Sequence, residues 1–531
     1  MTSEQTFDPA SAWAPSDDRP LVGDELRALL TQAFGVEATS PPAPSPAAVT
    51  LDVGPSALGD AAAGALTAAV GAAHVVRDEA ARAAHANGMS YLDLVRRSAE
   101  PPRAPDAVVL PGTHDEVAAV LAACSEHGVA VVPFGGGTSV VGGVAPQRGG
   151  YSAVIALDLR RLDRLVEVDE VSWTATLEAG LTGPRAEELL GAHGFTLGHV
   201  PQSFERATIG GYAATRSAGQ LSTGWGRFDA LVERVRVATP AGDLDLGRAP
   251  GSAAGPDLKQ LVLGSEGAFG VVTSVTVRVR PVPEARRHEG WRVADLATGV
   301  EVLRTLAQRG PRPDLARLSD EVETAMGVAT GGGGEDHAGG CLVLLGWEGF
   351  ASDVDHRAAA ASAILDAAGA VPLGETAAES WRHGRFRAPR LRDELLGAGL
   401  VLETLETATS WRELMALHAR VGDVLREALD GDSPLVACHV SHLYAAGASL
   451  YFTVLARRDA DDPVGQWTRA KAAVMDALAA AGATLTHHHA VGADHAPWLV
   501  AEDGELGVEV LRAVKRRLDP AGVLNPGKLV V

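Results

Sequence analysis

At 531 residues and a formal net charge of -21, the chain exceeds one ordinary domain of roughly 100–200 residues and lacks the basic excess that general nucleic-acid or anionic-lipid binding rewards. Three widely spaced cysteines, Cys124, Cys341 and Cys438, suit reduced thiols rather than a disulfide framework. The opening MTSEQTFDPA lacks the basic-then-apolar order of a signal peptide, and no run approaches the roughly 20 apolar residues of a membrane span, so a soluble, cytoplasmic protein is expected.

In chain order, the proline-rich stretch SPPAPSPAAVTLDVGP, Ser40 to Pro55, reads as a linker within an N-terminal helical and linker segment, residues 1–100. From Pro105, PDAVVLPGTHDEVAAVLAACSEHGVAVVPFGGGTS predicts strand, helix, strand and glycine loop. Thr113 is placed to cap the helix with Glu116 completing a capping box, Val117, Val120, Leu121 and Cys124 make its apolar stripe, and Gly128 ends it. WTATLEAG then predicts a strand, GPRAEELLGAHG a helix, and VERVRVATPAGDL and GVVTSVTVRVRPVP further strands of period two. Residues 101–283 thus form one α+β unit. Residues 284–500, with helix-like Ala/Leu/Arg stretches, a TGGGGEDHAGG loop and strands such as SLYFTVLA, form a second. The tail within 501–531 predicts one helix closed by a proline-containing coil that packs back near the first unit.

Two motifs carry chemistry. In PFGGGTSVVGG, Pro133 to Gly143, glycines after a buried strand let backbone N–H groups approach a ligand, a nest that suits a pyrophosphate. No Gly-Lys-Ser/Thr follows, and Val140 stands where a dinucleotide fingerprint needs its third glycine. In LTHHHAV, an extended chain sends His487 and His489 to one side and His488 to the other. Such neighbours do not converge easily on one ion, and no carboxylate or cysteine follows at ligand spacing, so no metal is expected.

Together with PFGGGTS, the clusters PQSFERATIGGYAATRSAG, STGWGRFDALV and LGSEGAFGVVTSVTV, in this order, resemble the FAD-binding domain of the vanillyl-alcohol oxidase (PCMH-type) flavoproteins. The resemblance implies an α+β fold in which a two-subdomain FAD-binding domain is covered by an α+β cap domain. It assigns Pro133, Phe134, Gly135, Gly136, Gly137, Thr138 and Ser139 to the pyrophosphate. Gln202, Ser203, Phe204, Glu205, Arg206, Ala207 and Thr208 would follow the ring and ribityl chain, with further contacts from Thr215, Arg216, Ser217 and Ala218. Gly264, Ser265, Glu266, Gly267, Ala268, Phe269 and Gly270 would close over the adenine side, and His199 matches a flavin-proximal histidine. Some relatives attach the flavin through a histidine in the glycine loop; Thr138 and Ser139 stand there in this chain, implying noncovalent FAD.

Over most of the chain, FGVE, GHVPQSFERATIGG, ARLSD, LETLETATSW, CHVSHLYAAGASLYFTV, THHHAVG and LDPAGVLNPGKL resemble the alkyldihydroxyacetonephosphate synthases of ether-lipid synthesis. That resemblance implies redox-neutral chemistry, in which the flavin N5 holds a dihydroxyacetone-phosphate carbon while a fatty acid leaves and a fatty alcohol enters. It makes Tyr451, His487, His488 and His489 the acid/base residues. Arg392 and Arg317 would bind the substrate, a guanidinium fork suiting a phosphate. HHHAVGADHAPW departs from the family with Ala490 in place of glycine and Asp494 in place of positive charge, and LETLET sets Thr404 and Leu405 beside the ring. An FAD oxidase or dehydrogenase acting on a 2-hydroxy acid or another alcohol, and a flavin-binding protein without catalysis, are the alternatives. The expected partners are a small-molecule or lipid substrate and no nucleic acid, with room for peripheral membrane contact and a homodimer.

Overall fold

The computed structural model describes residues 22, 24–35, 52–99, 103–329, 339–386, 388–431 and 434–530. Residues 40–51 of the linker reading and 330–338 of the glycine-rich loop lie outside them. The chain forms an α+β structure: two subdomains, each built on its own sheet, lie beneath a larger cap built on a third.

The first subdomain follows the strand, helix, strand order. The strands Ala107–Val109 and Val129–Phe134 both run parallel to Ala153–Asp158, which is buried at every position, as a strand covered on both faces must be. Between the first two strands, Thr113 Oγ1 accepts the Glu116 amide at 3.1 Å and starts the helix His114–His127. Glu116 reaches back to the Gly112 amide at 2.6 Å, one residue before the cap, and Gly128 closes the helix at φ 63°. Chain from before residue 101 also enters this core: Val75–Val76 forms the antiparallel edge strand, and the helix Asp60–Val70 packs Leu66 and Val70 beside Val117 and Leu121.

The second subdomain is an antiparallel five-stranded sheet in which Val271–Arg278 lies between Thr174–Glu178 and Val232–Thr239. Its alternating strands bury one face under the helices Gly183–Gly191 and Ile209–Thr215. The cap is an antiparallel seven-stranded sheet that begins at Ala285. Three of its adjacent strands, Leu400–Ser410, Gly447–Arg457 and Leu435–Ser441, put Glu406, Tyr451 and His439 in one cross-strand row. That row lies behind the cap-side wall of the site, which Tyr451 and His439 reach.

The C-terminal helix begins at Leu499, earlier than the tail pattern suggests, and is interrupted where Gly504 takes φ 72°. Its coil then returns to the first subdomain, the Val131 amide donating to Val523 at 2.8 Å and the Asn525 amide to Val131 at 2.7 Å. All three cysteines are buried and free. Among the described residues no helix is long and apolar enough to cross a membrane.

Because Leu66 is 1% exposed and packed between helix and sheet, Leu66→Ala should destabilise the first subdomain by about 2–5 kcal/mol. A lowered urea midpoint in the melt of the purified protein checks this. An unchanged midpoint would detach the helix Asp60–Val70 from that core.

Candidate active site

A cavity of about 740 Å³ lies between the subdomains and the cap. Pro133–Ser139, Gln202, Ser203, Ala207, Thr208, Thr215, Ser217, Ala218, Glu266, Gly267 and Gly270 line it from below. Arg317, Arg392, Tyr451, His488 and His489 line it from the cap. Other expected cofactor residues lie elsewhere. His199 is a core residue, 3% exposed, with Nε2 3.0 Å from Ser217 Oγ and its ring against Tyr212 and Phe228. Burial holds its pKa at about 3. Arg216 turns away to the carbonyls of Leu263 and Gln260, and Gly264 leaves room for its side chain. Ser265 is buried, Ala268 and Phe269 pack against the C-terminal helix, and Glu205 is exposed.

The glycine loop is bare for a reason the sequence does not disclose. A Cβ on Gly136 would collide with the Arg206 carbonyl, one on Gly137 with the Phe134 ring, and one on Gly267 with Pro133. These glycines let the loops pack against one another, and that packing turns their backbone toward the cavity. Asn525 ties the same loops from behind, its Nδ2 donating to the carbonyls of Gly143 at 3.1 Å and Glu266 at 2.6 Å.

The histidine triplet is not extended. The amides of His487, His488 and His489 all donate to the Glu406 carboxylate, at 2.6, 3.2 and 2.9 Å, and the Thr486 hydroxyl joins them. Wrapping three successive amides around one carboxylate curls the chain. His488 and His489 therefore share the cavity, not His487 and His489. His487 points to Tyr444, its Nε2 2.6 Å from the phenol oxygen, and stacks on His442 with ring centroids 5.0 Å apart. Among the described residues, His442, His487 and His488 form the group at metal-ligand spacing, with ring nitrogens within 4.8 Å of one another. His442 brings in a third ring that the triplet alone could not supply.

Burial opposes ionisation of Glu406, but the charge of the facing histidines whenever one of them takes a proton, together with the Thr486 hydroxyl, outweighs it and holds its carboxyl below the usual range. Burial lowers His488 and holds His487 and His489 at about 3, leaving neutral imidazoles at neutral pH. Burial pushes Tyr451 up to about 12, so the phenol is protonated; the Thr404 hydroxyl only moderates this. Its ring lies 4.8 Å from that of His439 and 6.0 Å from that of His488.

Both expected substrate arginines are already engaged. Arg317 donates to Glu323 at 2.9 Å and approaches His439 at 3.1 Å; Arg392 donates to the Met89 carbonyl and lies 3.3 Å from Asp393. Thr404 lines the cavity, but Leu405 faces the opposite core, as strand alternation requires. Asp494 pairs with Lys471 at 2.9 Å, so its charge is compensated from the helix Pro463–Ala481. Sequence reasoning missed Glu406, His439, His442 and Arg385. The first was legible as the alternate position of LETLET, and the two histidines lay inside the quoted CHVSH; nothing local marked Arg385.

Residues 105–245 match the family described as FAD binding domain, and residues 282–529 that described as FAD linked oxidases, C-terminal domain. An alkyldihydroxyacetonephosphate synthase of Trypanosoma brucei brucei is 32% identical over 479 residues, covering 85% of this chain and 78% of that protein. The chain belongs to the PCMH-type FAD-binding flavoprotein family. A solved alkyldihydroxyacetonephosphate synthase superposes with TM-score 0.79 at 28% identity, covering 94% of this chain and 92% of the other. p-Cresol methylhydroxylase shares the fold at TM-score 0.67 and 16% identity, over 88% of this chain and 96% of the other. The protein is thus an FAD-dependent enzyme. Its cavity fits the cofactor: the volume is within the roughly 300–1,000 Å³ of cofactor pockets, and bare glycine backbone faces it along the lower wall.

Two outcomes follow from this geometry. Gly136→Val forces the glycine loop off the Arg206 carbonyl, so FAD should be lost on gel filtration and the protein should be colourless. Retained FAD would separate the loop contact from cofactor binding. Second, His487 and His489 titrate at about 3 in the fold against about 6.5 unfolded. The unfolded chain takes up protons first, so their contribution to stability is complete above pH about 6.5 and is lost as pH falls toward about 3. The melting temperature should fall between pH 7.5 and 5, and less steeply in His489→Asn.

Proposed function

We propose that this flavoprotein exchanges the acyl group of an acyl-dihydroxyacetone phosphate for a long-chain alcohol, a step of ether-lipid synthesis. The observation that supports it most is the pairing, in one cavity, of a proton-handling cluster with an apolar wall. Tyr451, His488 and His489 form the cluster; Leu315, Leu342, Leu344 and Trp381 form the wall.

When bound, FAD supplies a flavin nitrogen able to hold the ketone-phosphate carbon through the exchange. In this reading it would be held noncovalently, the backbone of Gly135–Ser139 being placed to hold its pyrophosphate. Tyr451, protonated at neutral pH, donates a hydrogen bond to a substrate oxygen. The neutral rings of His488 and His489 accept protons, from C1 or from the incoming alcohol, and the ionised Glu406 beside them stabilises the imidazolium that forms. Over the whole reaction, the bond between C1 and the carboxylate oxygen breaks and one between C1 and the alcohol oxygen forms. The alcohol proton departs with the fatty acid, and nothing is oxidised. A cytoplasmic setting fits this role.

A second reading, oxidation of a 2-hydroxy acid or another alcohol, draws on the cluster of His442, His487 and His488, of which His442 and His488 line the cavity and could take a proton from a hydroxyl there.

The deciding assay mixes the holoenzyme with acyl-dihydroxyacetone phosphate, with and without hexadecanol. Fatty-acid release and ether product without consumption of oxygen or an added dye are expected. Reduction of the flavin by a 2-hydroxy acid with no ether product would replace this reading by the oxidoreductase. Tyr451→Phe keeps the ring and should keep FAD while turnover falls about 10²- to 10⁴-fold, measured as product per bound flavin. Acid precipitation should release the FAD into the supernatant.

A further inference from the structure

Among the described residues, the arginines that line the cavity are Arg317, Arg385 and Arg392. Two of them already face carboxylates, Arg317 against Glu323 and Arg392 against Asp393. Arg385 makes no ion pair among the described residues, and its Nε is buried without a hydrogen-bond partner. A guanidinium so placed carries a desolvation cost that the more distant charges of Glu348 and Glu379 offset only in part. Burial and the like charge of Arg382 accordingly lower its pKa.

The segment bearing Arg385 is nevertheless braced from both sides of the cavity. It follows the helix Glu375–Gly384, and its carbonyl accepts a hydrogen bond from Gln202 Nε2 at 2.7 Å. The guanidinium carbon lies 4.9 Å from the centre of the Phe386 ring, which in turn stacks on Phe204 at 6.2 Å. Gln202 and Phe204, expected beside the flavin, thus fix the position of this arginine. One turn earlier on the helix, Trp381 continues the wall formed by Leu342 and Leu344. A bare cation is held at one end of an apolar surface.

We propose that Arg385 is the residue by which this cavity recognises an oxyanion, carried on an amphiphile whose apolar chain lies along Trp381, Leu342 and Leu344. A guanidinium fork takes two oxygens of a carboxylate or phosphate side by side, which supplies the missing partner. Resting on the acyl-exchange reading, two groups qualify, the phosphate of the ketone substrate and the carboxylate of the departing fatty acid.

The test titrates the holoenzyme separately with glycerol 3-phosphate, decanoate and neutral decanol, following the flavin absorbance. Arg385→Gln should weaken at least one of the two anions about 10- to 100-fold, with decanol binding and the ligand-free flavin spectrum unchanged, and Arg385→Lys should recover part of the loss. Weakened glycerol 3-phosphate assigns the phosphate to Arg385, and weakened decanoate assigns the carboxylate; either supports the proposal. Equal affinity of wild type and Arg385→Gln for both anions overturns it, as does an equal loss for decanol or failure of the wild type to bind either anion. Arg385-dependent anion binding in an enzyme that makes no ether product would overturn the exchange reading alone.

Discussion

The site is organised by one carboxylate. Glu406, whose side chain is fully buried, accepts the three consecutive amides of His487, His488 and His489. A free carboxylate in such a place would be protonated; surrounded by donors it stays ionised. It therefore fixes both geometry and charge. The curl it imposes sends two imidazoles into the cavity and the third toward Tyr444 and His442. Because Glu406 is opposite Tyr451 in the sheet register, the strand pairing and the histidine turn position each other.

A second carboxylate continues the arrangement. Glu266, from the lower lobe, accepts the amides of Val491 and Gly492, two residues beyond the triplet. The short stretch from Thr486 to Gly492 is thus clamped by Glu406 of the cap at one end and by Glu266 of the cofactor-side lobe at the other. The two acids differ in protonation. Burial raises Glu266 to about 7 despite its amide donors, whereas the Thr486 hydroxyl and the charge of any histidine beside it that takes a proton carry Glu406 down. One anchor holds a fixed charge; the other sits close to its own titration point. Between them Ala490 takes φ 73°, a left-handed conformation that costs an alanine roughly 1 kcal/mol or more. The double clamp supplies the force that holds it there.

What the sequence disclosed, and what it did not, divides by range. The helix from His114 to His127 was legible because Thr113, the apolar stripe and Gly128 act within a few residues of one another. The strands around Thr174, Val232, Val271 and Gly447 declared themselves by alternation. The wrong facing of the triplet came from treating it as an isolated strand, when its conformation is set by an acid 81 residues earlier in the chain. His199 illustrates the same limit: a histidine after a strand has the same local pattern whether it faces a cofactor or a core, and only Tyr212 and Phe228 decide. The arginines show the same limit: Arg317 and Arg392 do line the cavity, but the groups they pair with there are not local. How many of a guanidinium's five N–H donors remain for a ligand depends on what else they meet, and of the partners of Arg392, Met89 lies 303 positions away and Asp393 next to it.

The glycines carry that argument into the cofactor cradle. A glycine-rich loop suggests a backbone that needs to reach a ligand, yet Gly136 and Gly267 are bare because another segment of the protein occupies the space of their side chains. Both demands are met by one geometry. When two loops close until a carbonyl or a proline fills the Cβ position, the remaining direction open to the backbone is the cavity. Asn525, reaching in from the C-terminal coil, holds the carbonyls of Gly143 and Glu266 and so locks two such loops at once. It also extends the chain of constraint to the clamp, since Glu266 contributes its carbonyl to Asn525 and its carboxylate to Gly492. The cofactor-side loops and the acid/base turn are therefore coupled through a single residue. Displacing the glycine loops should disturb the histidines as well as the cradle.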